Sequence, residues 1–125
     1  MSTGIFTGII VIVVFVFLRF RSGSAPKIKS VDSPTLKEMQ KNQKVVLIDV
    51  RTPKETTTGK INSKALEANV MALDFKQKVE NLDKDATYVV YCRSGQRSRR
   101  ACSIMENAGF KEVYNLDGGI MGWDA

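Results

Sequence analysis

The chain of 125 residues contains no histidine, and this absence removes several classes of catalytic site. Without histidine, a cysteine or serine nucleophile has no imidazole base, and zinc has no imidazole ligand. Cysteine is also scarce. Cys92 and Cys102 are the only two, which is too few for a disulfide scaffold or a four-thiolate metal site. The composition therefore points to neither a metal ion nor another resident cofactor.

The charge is positive but not extreme. The net charge of the chain is +6, and because Arg19 and Arg21 lie near its start, the part from residue 22 onward carries +4. Nucleic-acid-binding proteins usually spread basic residues along one face, often with aromatic residues between them. No such stripe occurs here, so we expect no nucleic-acid partner.

The first 21 residues differ in composition from the rest. Residues 5–18 form an uncharged apolar run, and residues 4–20 together reach the lower limit for a membrane-spanning helix. We therefore expect residues 1–21 to be a transmembrane anchor that contacts the membrane through residues 4–20. The alternative is a cleaved signal segment, although such a segment normally begins with a positive charge, which is missing here.

Basic residues follow this apolar run and none precedes it, which indicates the orientation of the anchor. By the positive-inside rule, we expect a single-pass membrane protein whose C-terminal domain faces the cytoplasm. Residues 22–27, which include "SGSAP", are a predicted flexible linker. Residues 28–125 remain for one globular domain.

Helix and strand patterns alternate along this domain. Apolar periodicity predicts helices over 33–42, 74–82 and 98–110, and buried strands over 44–50, 87–92 and 112–116, with edge strands near 28–31 and 66–70. Ser33 is the expected N-cap of the first helix, with Pro34 at its first helical position. The alternation predicts an α/β fold of three layers, in which helices flank a mostly parallel central sheet, preceded by the one hydrophobic N-terminal helix.

The stretch "VVYCRSGQRSRR" (89–100) contains the most informative cysteine. Cys92 ends an apolar strand, and seven of the next eight residues are polar or charged. At the carboxyl edge of a parallel sheet, main-chain N–H groups of a short loop and the following helix N-terminus form an anion-binding cradle. A cysteine there ionises readily, so we predict that Cys92 is a nucleophile and that Arg93 and Arg97 bind an anionic substrate. Alternatively, Cys92 is a small buried apolar residue, the role that we expect for Cys102.

Three segments in order carry a family resemblance. These are "LIDVRTPKE" (47–55), "YVVYCRSGQRS" (88–98) and "AGFKEVYNLDGGIMGW" (108–123). Together they resemble the single-domain members of the rhodanese-like sulfurtransferase family, and the resemblance covers most of residues 33–123.

The resemblance implies a reaction and a set of site residues. Cys92 would take the outer sulfur of a donor such as thiosulfate, hold it as a persulfide, and pass it to cyanide or to a thiol acceptor, either a small molecule or a protein. The residues around the sulfur would be Arg93, Ser94, Gly95, Gln96, Arg97 and Ser98. Asp49 and Arg51 would support the loop, although an ordinary salt bridge or helix cap explains that pair equally well.

Some features depart from the family pattern and leave alternatives open. Lys60 stands where the family usually has histidine, and Thr56 where it usually has an aromatic residue. One alternative is a non-catalytic, membrane-tethered binding module, although such modules commonly lack the cysteine. A weaker one is a phosphatase or arsenate reductase of the same fold. The loop of those enzymes reads Cys-x5-Arg, whereas the sixth residue after Cys92 is Ser98.

Overall fold

Short strands and helices alternate along residues 27–123, the part of the chain that the computed structural model describes. In chain order they are β1 (Ser30–Val31), α1 (Ser33–Asn42), β2 (Val45–Asp49), α2 (Pro53–Thr56), β3 (Leu66–Glu67), α3 (Phe75–Glu80), β4 (Thr87–Tyr91), α4 (Gln96–Asn107) and β5 (Glu112–Leu116).

All five strands pair in parallel in one sheet of order β1-β5-β4-β2-β3. The central strands are buried on both faces because two apolar clusters form, one on each side of the sheet. Val90 belongs to the cluster that includes residues of α3 and α4, and its neighbour Val89 to the cluster that includes Leu36 of α1. This confirms the predicted α/β fold, with a parallel sheet between helices.

The first helix is capped by a different residue from the one predicted. Asp32, not Ser33, is the N-cap of α1, and its carboxylate accepts a hydrogen bond from Thr35 N at 2.9 Å. The reason is that Ser33 is buried and uses its hydroxyl elsewhere, donating to Gly122 O at 3.1 Å. The helix start is thereby tied to the C-terminal end of the domain.

Two helix starts at the ends of β2 and β4 also differ from the prediction. Helix α4 begins at Gln96 rather than at residue 98, because Gly95 takes φ +113° and acts as its N-cap. Helix α2 was not predicted. It begins with a capping box in which Thr52 Oγ1 accepts from Glu55 N and the Glu55 carboxylate accepts from Thr52 N. Both corrections place helix starts at the carboxyl edge of the sheet.

The predicted anchor, residues 1–21, and most of the linker lie outside the described residues. Between residues 27 and 123, no helix has both the length and the apolar character needed to cross a membrane.

Candidate active site

Cys92 lies directly after β4, where the chain turns into the loop before α4. Cys92 is only 1% exposed to solvent. The sulfur accepts a hydrogen bond from Gly95 N at 3.1 Å and lies 3.3 Å from Ser98 Oγ. The positive φ of Gly95 directs the chain from this turn into α4. Of the predicted cradle, Gly95 and Ser98 therefore contact the sulfur directly.

Two opposing effects act on the Cys92 thiol. Burial raises its pKa, because a charge is less stable away from water. Hydrogen bonds from the Ser98 side chain and from the main-chain N–H groups of Ser98, Gly95 and Ser94 lower the pKa by more than burial raises it. The net pKa is below the ordinary value, so a larger share of Cys92 is the nucleophilic thiolate at a given pH.

Arg97 has a different role from the one expected. Its guanidinium binds Glu55 through two hydrogen bonds, Nη1 to Oε1 at 2.7 Å and Nη2 to Oε2 at 2.8 Å. These bonds lower the pKa of Glu55 to about 2. Arg97 thus joins the first turn of α4 to α2 and does not present a free fork to a substrate anion. Glu55 was not among the predicted site residues, although the pattern "TPKE" (52–55) is a readable capping box.

Asp49 and Arg51 form a buried ion pair beside this connection. Arg51 Nη2 lies 2.7 Å from Asp49 Oδ2 and also donates to Gly59 O at 2.6 Å. The pair therefore holds the two ends of the segment 51–59, which carries α2 and Glu55. Support of the Cys92 loop by this pair stays a prediction.

The C-terminal segment packs against the backbone at the cysteine. Ile120 N donates to Cys92 O at 2.9 Å, and Met121 N donates to Arg93 O at 3.1 Å. A β-carbon at Gly119 would lie 2.5 Å from Cys92 O, too close for any other residue. Gly118 and Gly119 look in the sequence like plain turn residues. A close approach between distant segments leaves no pattern that sequence reasoning can detect.

An open cleft of about 390 Å³ adjoins the loop. Its lining residues are Arg51, Lys54, Glu55, Thr58, Arg93, Ile120 and Met121. Arg51 and Glu55 are already paired, whereas Lys54 and Arg93 have no ion-pair partner within residues 27–123. Arg93, Ser94 and Gln96 are exposed. The cleft therefore combines apolar walls with two available cations.

Comparison with known proteins agrees with this fold. A sequence model of the rhodanese-like domain family matches residues 32–125, and the chain belongs to that family. Three bacterial relatives align along most of their own length. YtwF of Bacillus subtilis is 38% identical and covers 78% of this chain and 92% of its own.

The other two relatives have names that state an activity. A sulfurtransferase of Allochromatium vinosum is 35% identical and covers 77% of this chain and 88% of its own. The thiosulfate sulfurtransferase GlpE of Pseudomonas putida is 33% identical, and the alignment covers 70% of this chain and 77% of that protein. A rhodanese-like domain protein from Staphylococcus aureus has a similar solved structure, with a TM-score of 0.68, 28% identity, and coverage of 78% and 92%. The chain is therefore a rhodanese-like domain with sulfurtransferase homologues.

Proposed function

We propose that this protein is a sulfurtransferase that carries sulfur as a persulfide on Cys92. The observation that carries the proposal is the environment of the Cys92 sulfur, which is buried yet faces Gly95 N at 3.1 Å and Ser98 Oγ at 3.3 Å. Relatives named as sulfurtransferases support the same reaction class.

The proposed reaction has two displacement steps. The Cys92 thiolate attacks the outer sulfur of thiosulfate, the sulfur–sulfur bond of the donor breaks, and sulfite leaves with the electron pair. The product is a Cys92 persulfide anion. Cyanide or an acceptor thiolate then attacks the outer sulfur, the new bond to Cys92 breaks, and the thiolate returns. The negative charge is on Cys92 Sγ before and after the two steps and on the outer sulfur of the persulfide between them. The donors at Sγ stabilise the thiolate that begins and ends the cycle.

We assign the cleft beside Arg93 to the donor and the acceptor. Arg93 and Lys54 favour anions such as thiosulfate, and Ile120 and Met121 provide an apolar wall. The volume of the cleft exceeds what thiosulfate needs, which leaves room for a larger thiol acceptor or for part of a protein acceptor.

Mass spectrometry of the intact full-length chain tests the persulfide. After incubation with thiosulfate and removal of excess donor, the wild-type protein should carry one additional sulfur atom, and cyanide should remove it. Cys92→Ser should gain none, while the matched variant Cys102→Ser should behave as wild type. No added sulfur on wild type, or equal addition to Cys92→Ser, would exclude the proposal.

The proposal ranks sulfur transfer above phosphate chemistry. A phosphate-binding Cys-x5-Arg loop needs an arginine free to bind equatorial oxygens. Here Ser98 occupies that position, and the preceding Arg97 is bound to Glu55. Thiocyanate formation should therefore exceed hydrolysis of an aryl phosphate by the same preparation. The reverse ranking would favour the phosphatase alternative.

The membrane anchor is a separate part of the proposal. The apolar run 4–20 and the basic residues that follow it support a single-pass protein with the domain 28–125 on the cytoplasmic side. The full-length protein should stay in the pellet after alkaline carbonate extraction, and its domain should resist protease added outside intact cells. Release by carbonate or external digestion would contradict the anchor or its orientation.

A further inference from the structure

A buried amide lies behind the residues that contact the Cys92 sulfur. Asn115, in β5, is 1% exposed. Side chains alternate along a strand, so Asn115 shares the sheet face of Val113, whose cluster also contains Cys92 and the α4 residue Ala101. A polar group in such a place is costly unless it is hydrogen-bonded. Asn115 Oδ1 accepts from Ser98 Oγ at 2.5 Å, so the amide is committed to Ser98.

The Ser98 hydroxyl has a single proton and two neighbouring acceptors. Its oxygen lies 2.5 Å from Asn115 Oδ1 and 3.3 Å from Cys92 Sγ. While Cys92 is a thiol, its S–H can donate to Ser98 Oγ, and Ser98 can donate to Asn115. Once Cys92 is a thiolate it has no proton to give, so Ser98 must donate to the sulfur instead. The charge on the sulfur and the direction of the hydroxyl are therefore linked.

An asparagine suits both arrangements. Its oxygen accepts from Ser98 in the first arrangement, and after rotation of the carboxamide its NH₂ group can donate to Ser98 Oγ in the second. The amide also lies beside the loop, because a β-carbon at Gly95 would be 3.8 Å from Asn115 Nδ2. Asn115 thus adjoins both residues that contact the sulfur, although it comes from a different strand.

We propose that Asn115 is a positioning residue that acts through Ser98. Its amide oxygen sets the direction of the Ser98 hydroxyl and holds the Ser98 proton until a sulfur anion forms on Cys92. The proposal deepens the proposed function, because the same sulfur would carry the persulfide.

Several charged or titratable groups surround Cys92 and stay unchanged by substitutions at position 115. From α4 they are Arg97 and Cys102. Arg97 is in turn paired with Glu55 of α2. A neutral substitution of Asn115 adds no charge to this set. Its effect on Cys92 can therefore be assigned to the hydrogen-bond chain.

The test measures the rate of alkylation of Cys92 by iodoacetamide as a function of pH, in the full-length chain. Asn115→Leu removes the amide and keeps the branching of the side chain. We expect it to lower the midpoint of the profile by roughly 0.5 to 1 pH unit, because the Ser98 hydroxyl loses its competing acceptor and can donate to the sulfur. In a Ser98→Ala background, the same substitution should leave the midpoint unchanged, since the connecting hydroxyl is gone.

A second variant covers the case in which leucine prevents folding. Asn115→Asp keeps the shape but offers only acceptor oxygens, so it holds the Ser98 proton more tightly and should raise the midpoint, the opposite of Asn115→Leu. Part of that rise comes from the new charge and should persist with Ser98→Ala, while the rest should disappear. Equal shifts with and without Ser98, or no shift, would overturn the proposal. Alkylation needs no sulfur transfer, so these results decide the role of Asn115 even if the chain fails to accept sulfur.

Discussion

Cys92 and Cys102 belong to the same apolar cluster, yet their thiols have opposite properties. Both are buried, with exposures of 1% and 0%. The pKa of Cys92 is lowered from its ordinary value, whereas burial raises the pKa of Cys102 to about 12. Removal from water is therefore common to both thiols and does not explain which one is reactive.

The difference lies in the hydrogen-bond donors. Cys92 follows a strand and faces a turn, where main-chain N–H groups have no helical partners and point at the sulfur. Cys102 lies inside α4, where the helix uses its own N–H groups for i→i−4 bonds. The pair indicates that the Ser98 hydroxyl and the loop N–H groups, rather than burial, lower the pKa of Cys92.

The largest expected contrast is between removal of one thiol and removal of the other. Cys92→Ala should lower thiosulfate:cyanide sulfur transfer by on the order of 10³-fold or more, because the reaction loses its nucleophile. Cys102→Ala should keep the rate near that of wild type and cost about 1 kcal/mol of unfolding free energy through lost packing. Steady-state rates and chemical denaturation measure the two effects. A comparable loss of rate in both variants would abolish the distinction.

The turn that packs on Cys92 should be the next most sensitive feature. Gly119→Ala places a β-carbon against Cys92 O and Arg93 O at a positive φ, so the C-terminal segment must move away from the loop. Gly118→Ala is the matched control. It too has a positive φ, but its β-carbon would meet only ordinary contacts, so its cost should be about 1–2 kcal/mol. We expect Gly119→Ala to lose more stability and to slow Cys92 alkylation. Equal effects of the two variants would contradict the close approach.

Removal of the Ser98 hydroxyl should raise the pKa of Cys92 towards that of Cys102. A hydrogen bond to a charged group is worth about 1.5–3 kcal/mol, so Ser98→Ala should raise the pKa of Cys92 by roughly one to two units. The pKa of Cys102 should stay high. Alkylation rates against pH, with each cysteine identified by peptide mapping, measure both. An unchanged Cys92 profile would show that main-chain N–H groups suffice.

The smallest expected effect concerns the ion pair that links α4 to α2. The pKa of Glu55 falls to about 2 in the folded state from an ordinary 4.5. Its stabilisation is therefore complete above about pH 4.5 and is lost as the pH falls towards 2. We expect about 1 kcal/mol from this partly exposed bidentate pair. Denaturation of wild type and Glu55→Gln at pH 7 and pH 3 measures it. The difference between them should shrink at pH 3, and a constant difference would contradict the assignment.

Local patterns in the sequence were enough to predict the sheet and the position of Cys92 at its carboxyl edge. The apolar runs 44–50 and 87–92 became β2 and β4, since strands buried on both faces leave continuous apolar segments. The segment 112–116 became β5. Cys92 stands at the end of such an apolar run and is followed by Gly95, so its position at a strand end before a turn could also be predicted from the local sequence. The position of Cys92 in the cradle follows from neighbours within six residues.

The remaining features depend on contacts between distant segments. Glu55 and Arg97 are 42 residues apart, and Ser98 and Asn115 are 17 apart. No periodicity connects such pairs, and an asparagine in a strand reads as an ordinary polar residue. The arginines after Cys92 look in the sequence like the source of its activation. The structure assigns that effect to a hydroxyl and main-chain N–H groups, because Arg97 is bound to Glu55 and Arg93 is exposed.

The most direct test is the pH profile of Cys92 alkylation in the wild-type, full-length protein, with Cys102 followed in the same samples. Because the hydrogen-bond donors around the sulfur lower the pKa of Cys92, we expect the midpoint of its alkylation profile below pH 9.0, the ordinary pKa of a cysteine thiol. Cys102 should stay unreactive until near pH 12. A Cys92 midpoint at or above pH 9.0 would show that burial outweighs the hydrogen bonds, and the persulfide proposal would lose its physical basis.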